Sequence, residues 1–184
     1  MPRLFVAVGV PAAAAAELAI IQPPRVAGVR LAEPGQMHLT LHFLGPANLE
    51  RTAAALAAVE APAFPLEVEG VGQFPSSGGA VTLWAGVCAS AALLRLHAAG
   101  AAALAAEGFQ PEARPYTPHI TLARCEPGVP ADVVAEFLDR HRAFALPGFP
   151  VTEFGLYSSA RVGDAPVYRR ERSFPLLAPS RGGQ

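Results

Sequence analysis

The sequence is poor in charge and has no lysine. Charged residues make up 16% of the 184-residue chain, and its 14 basic and 15 acidic residues leave a net charge of −1. This balance excludes a broad electrostatic clamp on duplex nucleic acid or on an anionic membrane, because both need clustered positive charge. A small local phosphate site stays open. All the basic residues are arginines, which we interpret mainly as GC-rich codon usage.

Cysteines and long apolar runs are also scarce. The two cysteines, Cys88 and Cys125, exclude a disulfide framework and lack metal-motif spacing. No apolar run approaches the roughly 18 uninterrupted residues of a membrane span. The short apolar run at residues 4–8 is followed by Pro11, which favours a first strand over a signal peptide. We therefore expect a soluble cytoplasmic protein whose cysteines are small buried residues in a reduced compartment.

What the chain does have is an alternation of strand patterns with alanine-rich helices, in a composition that is 52% hydrophobic. Turn residues and N-cap residues such as Asn48 separate these segments. The patterns predict strands at 3–10, 37–44, 66–74, 80–87, 119–125, 150–157 and 167–174, and helices at 11–21, 48–59, 90–106 and 132–140.

The order of these segments occurs twice. Three matches recur in sequence, with offsets of 79, 81 and 83: residues 4–8 with 83–87, 38–41 with 119–122, and 68–74 with 151–157. Matches in the same order with a slowly drifting offset indicate an internal duplication. We expect residues 1–184 to form one bilobal α+β domain. Its two pseudo-symmetric lobes would each be an antiparallel sheet with helices on one face, and an active-site cleft would lie between them.

The second match repeats a His-x-Thr-Leu element that carries chemistry. Side chains alternate along a strand, so His38 and Thr40 share one face, as do His119 and Thr121. Two facing imidazoles suit acid–base catalysis near neutral pH. The two hydroxyls suit hydrogen bonding to an oxyanion with several oxygens, such as a phosphoryl group.

Two competing chemistries fit less well. His38 and His42 are four residues apart, which on a strand separates them by about 13 Å, too far for one metal ion. No carboxylate or thiol near the motifs completes a ligand set, so we expect neither a metal nor a cofactor. No serine stands in a nucleophile-elbow pattern, and neither cysteine adjoins a histidine motif.

The paired motifs resemble the two signatures of the two-histidine phosphoesterase superfamily. More narrowly, residues 4–8, 41–45 and 118–124 resemble the bacterial RNA 2',3'-cyclic phosphodiesterases, which were first named 2'-5' RNA ligases. Residues 157–159 and Tyr168 also fit, so the resemblance covers nearly the whole chain.

The resemblance implies a bilobal fold, no cofactor, and hydrolysis of RNA 2',3'-cyclic phosphate ends to 2'-phosphates, with reversible 2'-5' ligation as a secondary activity. It makes His38 the proton donor and His119 the proton acceptor. Arg124, with Thr40 and Thr121, would hold the phosphate. An unbroken strand would turn Arg124 away from His119, so either the strand ends or bulges there, or Arg124 has a structural role.

Other residues are weaker candidates. His42 would share the His38 face and line the cleft, unless it is an ordinary polar residue at the strand end. Phe43 and Tyr157 could stack on a base or line the cleft, although core packing is the default for an aromatic residue. The basic residues near the C-terminus could follow an RNA backbone or form a solvated edge: Arg161, Arg169, Arg170 and Arg172.

Two other functions stay open. The same machinery could act on a small cyclic nucleotide or cyclic ADP-ribose phosphate, which the near-neutral charge would favour over a long polyanion. A non-catalytic module that binds phosphorylated ligands is the second, although binding alone would not need both histidines and both threonines. Neither a membrane nor an oligomer is needed for the expected reaction.

Overall fold

The computed structural model describes residues 1–110, 112–163 and 165–178. Within them lie nine strands: β1 (Arg3–Gly9), β2 (Val29–Leu31), β3 (His38–Pro46), β4 (Phe64–Pro75), β5 (Val81–Val87), β6 (His119–Cys125), β7 (Ala145–Val151), β8 (Glu153–Val162) and β9 (Ala165–Pro175). The four α-helices in the same ranges are α1 (Ala12–Ile20), α2 (Leu49–Leu56), α3 (Ala91–Ala106) and α4 (Ala131–His141).

In the described part of the chain the strands form one antiparallel sheet in the order β7-β4-β5-β6-β3-β1-β8-β9, with β2 paired to β6. Two half-sheets meet between β3 and β6, a junction we call the seam. The β3–β6 ladder there consists of one residue pair, Leu39 with Ile120. The predicted α+β fold with antiparallel halves is confirmed, and the two His-Thr motifs lie on the two strands of the seam.

The strand order is mirrored about the seam. Outward from it run β3, β1, β8 and β9 on one side, and β6, β5, β4 and β7 on the other. Strands matched by the sequence repeat occupy mirrored places, which we interpret as the product of a duplication. The last strands that the sequence repeat matches, β4 and β8, lie in the opposite halves, because β4 pairs with β5 and β8 pairs with β1. Neither half is therefore built from one continuous repeat.

The strand pairing refines the first sequence match. His38 lies opposite Gly9 on β1, and His119 lies opposite Gly86 on β5. This pairing makes Gly9 equivalent to Gly86, a shift of two residues from the match of residues 4–8 with 83–87. An apolar strand pattern repeats every two residues, so a slip of two leaves every side chain on its face and scores equally well in sequence.

The predicted strands and helices are found within a few residues of their expected ends, and Asn48 and Ser90 are side-chain N-caps of α2 and α3. Two strands are new. β2 has only three residues, and β7 contains Pro147 and Pro150, residue types that usually mark turns or edge strands. The predicted strand 150–157 was wrong in one respect, because Thr152 separates β7 from β8.

The core lies between the helices and one face of the sheet. On the seam strands the buried residues are Leu39 and Leu41 of β3 and Ile120 and Leu122 of β6, and they join one cluster with apolar residues of all four helices. The histidines and threonines that alternate with them are only half-buried. The core thus anchors the motifs and leaves their polar side chains on the other face. No helix in the described residues is long and apolar enough to cross a membrane.

Candidate active site

Both motif histidines are held in the same way by the backbone before them. The Nδ1 of His38 lies 2.7 Å from the carbonyl oxygen of Gln36, and the Nδ1 of His119 lies 2.7 Å from that of Thr117. A carbonyl oxygen only accepts, so each Nδ1 must carry the hydrogen. Each neutral imidazole therefore leaves the lone pair of Nε2 for another partner, and each imidazolium would donate from Nε2.

A β-bulge decides the orientation of Arg124. In the β5–β6 ladder Trp84 lies opposite Thr121, and Thr82 lies opposite Arg124, so β6 has one extra residue between these pairs. Cross-strand partners share a face, and Thr82 and Trp84 are two residues apart on β5. Arg124 therefore lies on the same face as Thr121 and His119, because the strand bulges before it, and its binding of phosphate stays a prediction.

The same bulge is present on β3. Ala7 lies opposite Thr40 and Val6 opposite His42, so an extra residue separates Thr40 from His42. This bulge turns His42 to the core face with Val6. The expectation that His42 shares the His38 face is therefore wrong: its ring packs on His97 of α3 at 4.4 Å between centroids, and its Nε2 lies 3.0 Å from the His97 carbonyl oxygen.

Phe43 and Tyr157 do reach the His38 side of the site. Phe43 lies opposite Phe5, with 6.5 Å between ring centroids, and it is 61% exposed, which is high for a phenylalanine. Tyr157 stacks on Phe5 at 5.3 Å and lies 6.5 Å from the His38 ring. Both side chains thus line the sheet face that carries His38.

Aromatic rings surround both histidines, but the aromatic residues around the two rings differ. Phe5 and Tyr168 contact His38, at centroid distances of 4.9 and 5.0 Å. Phe74 and Trp84 contact His119, at 4.8 and 5.9 Å. The indole N–H of Trp84 is buried and has no hydrogen-bond partner in the described residues. The pseudo-symmetric motifs therefore lie in two chemically different surroundings.

Burial and neighbouring charge act on both imidazoles. Burial lowers the pKa of His38 most strongly; the Gln36 carbonyl opposes this, and the charges of His119 and Arg124 lower the pKa further. Burial also lowers the pKa of His119, with the Thr117 carbonyl opposing it and the charge of Arg124 adding to it. Both rings are therefore mainly neutral at pH 7 before an anion binds.

The C-terminal arginines are mostly engaged with carboxylates. Arg172 contacts Glu50 at 2.8 Å, and Arg169 lies 3.8 Å from Glu171. Arg170 pairs with Glu153 and also donates from Nε to the hydroxyl of Tyr157, at 3.1 Å. These contacts fit a solvated edge better than a track for an RNA backbone.

Sequence reasoning missed the backbone partners of the histidines and the aromatic residues Trp84 and Tyr168 as ring neighbours. A carbonyl two residues before each histidine has no side-chain signature, so no pattern could have found it. No group of three or more histidine, cysteine, aspartate or glutamate side chains able to hold a metal occurs in residues 1–110, 112–163 and 165–178. Cys125 is buried and Cys88 half-buried, and both are free thiols.

Known proteins resemble the chain over most of its length. The family model of the 2'-5' RNA ligase superfamily matches residues 10–163. A protein of Archaeoglobus fulgidus named RNA 2',3'-cyclic phosphodiesterase is 30% identical over 177 residues, which cover 94% of this chain and 99% of the relative. One of Thermus thermophilus with the same name is 35% identical over 191 residues, covering 95% and 90%. The crystal structure of E. coli LigT complexed with 3'-AMP is 27% identical, with a TM-score of 0.72 and coverage of 95% and 98%.

Proposed function

The chain belongs to the 2'-5' RNA ligase superfamily, and we propose that this enzyme opens 2',3'-cyclic phosphate ends of RNA by acid–base catalysis between its two motif histidines. Water attacks the phosphorus and loses a proton to His119. The bond from phosphorus to the 3' oxygen breaks, and His38 gives that oxygen a proton. The product is a 2'-phosphomonoester with a free 3' hydroxyl, and no metal or cofactor takes part.

The observation that carries this proposal is the matched Nδ1 hydrogen bond of each histidine. Because a main-chain carbonyl holds the Nδ1 hydrogen, each ring presents Nε2 to substrate, as a base when neutral and as an acid when protonated. Two rings held in this way supply both proton transfers that the reaction needs.

The phosphate would bind between the motifs. Thr40 and Thr121 offer hydroxyl donors, and Arg124 offers a guanidinium on the face of Thr121. A bound phosphate anion raises the pKa of nearby imidazoles, which opposes the lowering by burial. One of the two rings can then hold a proton at neutral pH, and we assign that proton to His38 because the family resemblance implies that it is the donor.

We place the nucleobase on the His38 side of the site. Phe43 is exposed there and packs beside Phe5, whereas the equivalent place on β6 carries Arg124. Any base has a π-face that such a ring can stack on. The phosphate would thus bind between the two motifs, and the base would bind on the β3 half of the sheet, beside His38.

Ligation follows from the same chemistry with a different attacking group. If the 5' hydroxyl of a second RNA replaces water, His119 takes its proton and the 3' oxygen leaves as before. The 2' oxygen keeps its bond to phosphorus, so the joined product has a 2'-5' linkage. We propose this as a secondary activity, in the cytoplasmic setting that the sequence predicts.

The decisive experiment supplies a short RNA ending in a 2',3'-cyclic phosphate, with EDTA present. We expect turnover to a 2'-phosphate that chelator does not affect. His38→Ala and His119→Ala should each lower kcat by roughly 10²- to 10⁴-fold, the usual contribution of one general acid or base. His141→Ala on α4 is the matched control and should keep wild-type activity.

Other outcomes would contradict the proposal. Loss of activity with EDTA that zinc or magnesium restores would replace it with a metal mechanism. Faster turnover of mononucleotides than of oligomers would favour a small cyclic nucleotide as substrate. Tight binding of the RNA without turnover would mean that the protein is a non-catalytic module that binds phosphorylated ligands.

A further inference from the structure

We propose that Tyr116 is a positioning residue that sets the spacing of the two His-Thr motifs across the seam. The inference rests on the proposed function, since it concerns how both proton transfers are aligned on one phosphate. Tyr116 lies before β6 and outside both motifs, and it touches neither motif histidine in the described contacts.

Tyr116 connects the two motifs directly. Its hydroxyl donates a hydrogen bond of 3.1 Å to the carbonyl oxygen of Thr40, in the first motif. The next residue, Thr117, supplies the carbonyl that holds Nδ1 of His119 at 2.7 Å, in the second motif. One short stretch of backbone therefore contacts Thr40 through a side chain and His119 through a carbonyl.

A connection between the two motifs matters at the seam because the β3–β6 ladder is very short. Leu39 and Ile120 form the single β3–β6 pair in the described residues, whereas β6 is paired with β5 along most of its length. This pair joins β3 to β6 at one point only, and β2 pairs with the far end of the same edge of β6. The bond from Tyr116 to Thr40 adds a second direct connection beside the motifs, on the strand that carries His38.

A stack of rings on the core side holds Tyr116 in place. His97 of α3 stacks on Tyr116 with 3.9 Å between centroids, and His42 of β3 stacks on His97 at 4.4 Å. His42 is fixed in turn by its Nε2, which lies 3.0 Å from the His97 carbonyl oxygen. Burial raises the pKa of Tyr116, so its hydroxyl keeps the hydrogen that it donates.

His42 and His97 take no part in the proposed proton transfers, and this arrangement gives them a structural role in support of Tyr116. They lie on the core face, away from the expected phosphate, yet they connect α3 to the backbone of both motifs through Tyr116. Loss of the Tyr116 hydroxyl should leave the substrate-binding groups present and disturb their relative placement. Small displacements of catalytic groups lower the rate of the chemical step far more than they weaken binding.

The test compares Tyr116→Phe with Thr52→Val in the full chain. Thr52 of α2 is 1% exposed and donates from Oγ1 to the Asn48 carbonyl at 2.7 Å, so its variant also loses one buried hydroxyl bond to a carbonyl, away from the site. We expect Tyr116→Phe to lower kcat on the cyclic phosphate RNA roughly 10-fold with KM within about twofold of wild type. Thr52→Val should lower Tm similarly and leave both constants unchanged.

Two further variants separate the stack from the hydroxyl. His97→Phe keeps a ring against Tyr116 and should retain the wild-type kcat, because the His42 bond goes to the main chain of residue 97. His97→Ala removes the ring and should lower kcat as Tyr116→Phe does. Equal kcat loss in both His97 variants, or in neither, would overturn the role of the stack.

A spectroscopic measurement tests the inference without activity. Ring ¹⁵N spectra of the histidines should show His119 as the Nδ1–H tautomer in wild type and in Thr52→Val, and as a mixture of tautomers in Tyr116→Phe. An unchanged His119 spectrum, a kcat equal to that of Thr52→Val, or a rise in KM alone would overturn the proposal. If wild type does not turn over the RNA, the proposed function fails and the ¹⁵N spectra alone decide the role of Tyr116.

Discussion

At the scale of single residues, the two histidines owe their chemistry to the backbone. The main-chain carbonyls of Gln36 and Thr117 fix the tautomers of the two rings, and the side chains of these two residues take no part in those hydrogen bonds. What distinguishes the histidines is their surroundings, since His38 contacts Phe5 and Tyr168 whereas His119 contacts Phe74 and Trp84. The proposed division into acid and base would therefore come from these neighbours and from the substrate.

A sulfur leaving group tests that division. When sulfur replaces the 3' oxygen, the leaving thiolate needs no acid, because a thiol pKa near 8.5 is far below that of an alcohol. His38→Ala should then recover to within about tenfold of the wild-type rate, given that an acid contributes roughly 10²- to 10⁴-fold. His119→Ala should stay slow on both substrates. Rescue of His119→Ala instead would exchange the two roles, and rescue of neither would mean that His38 mainly holds the phosphate.

The charge of Arg124 should be visible in the pH profile. Burial is the main reason that the pKa values of His38 and His119 are lowered, and Arg124 adds to it. The acid limb of kcat/KM reports the base and the alkaline limb reports the acid. In Arg124→Gln both pKa values rise, so both limbs should move to higher pH, and kcat/KM should fall about 10- to 100-fold through loss of a charged hydrogen bond to phosphate.

The control is Arg142→Gln, at the exposed end of α4. It should leave the position and height of the profile unchanged. A profile of Arg124→Gln that keeps the wild-type limbs would show that this guanidinium does not face the imidazoles.

At the scale of elements, a bulge that follows the threonine of each motif decides which later side chains of the seam strands face the site. On β6 it brings Arg124 to the site, and on β3 it sends His42 to the core and brings Phe43 to the site. The two strands use the same irregularity, and the residues at equivalent places differ in kind. The bulges thus create the asymmetry between a charged half and an aromatic half.

Gly100 of α3 tests the packing behind β3. Replacing a helix-interior glycine by alanine normally stabilises a helix by about 1 kcal/mol. Here the new Cβ would lie 2.9 Å from Nε2 of His42, closer than real contacts allow. We therefore expect Gly100→Ala to lower the free energy of unfolding in urea by about 1–2 kcal/mol, as overpacking does.

A double-variant cycle shows whether that contact is the cause. With His42→Ala already present, Gly100→Ala should become neutral or stabilising, since the ring that opposes the Cβ is gone. Destabilisation of equal size in both backgrounds would place the conflict elsewhere in α3.

At the scale of the whole molecule, the halves of the sheet exchange strands. β4 belongs to the first repeat but pairs with β5 and β7, while β8 belongs to the second repeat and pairs with β1. The buried residues of both halves form one apolar cluster. The molecule should therefore behave as one folding unit despite its repeated sequence.

Splitting the chain in the turn between β4 and β5 tests this organisation. Residues 1–79 lose both partners of β4, and residues 80–184 lose β1 beside β8. We expect neither fragment to show a cooperative urea transition alone, and an equimolar mixture to regain activity on the cyclic phosphate RNA. A single fragment with native-like circular dichroism and a cooperative transition would contradict the strand exchange.

The sequence by itself determined the elements, the α+β class and the residues of the two motifs. These follow from local rules: strand and helix periodicity, N-cap residues such as Asn48, and the side-by-side placement of a histidine and a threonine two residues apart on a strand. The family resemblance added the reaction and the expected roles of His38 and His119. The elements and each single motif depend on residues close together in the chain.

Only the tertiary structure decided the register of strand pairing, the exchange of β4 and β8 between the halves, and the sheet face on which Arg124 and His42 lie. A bulge can be recognised only from the partner strand, because it is an extra residue in one of the two strands of a ladder. The Tyr116 bond to Thr40 joins residues far apart in sequence. Such long-range pairings depend on how the elements pack, and no local pattern of one chain segment specifies them.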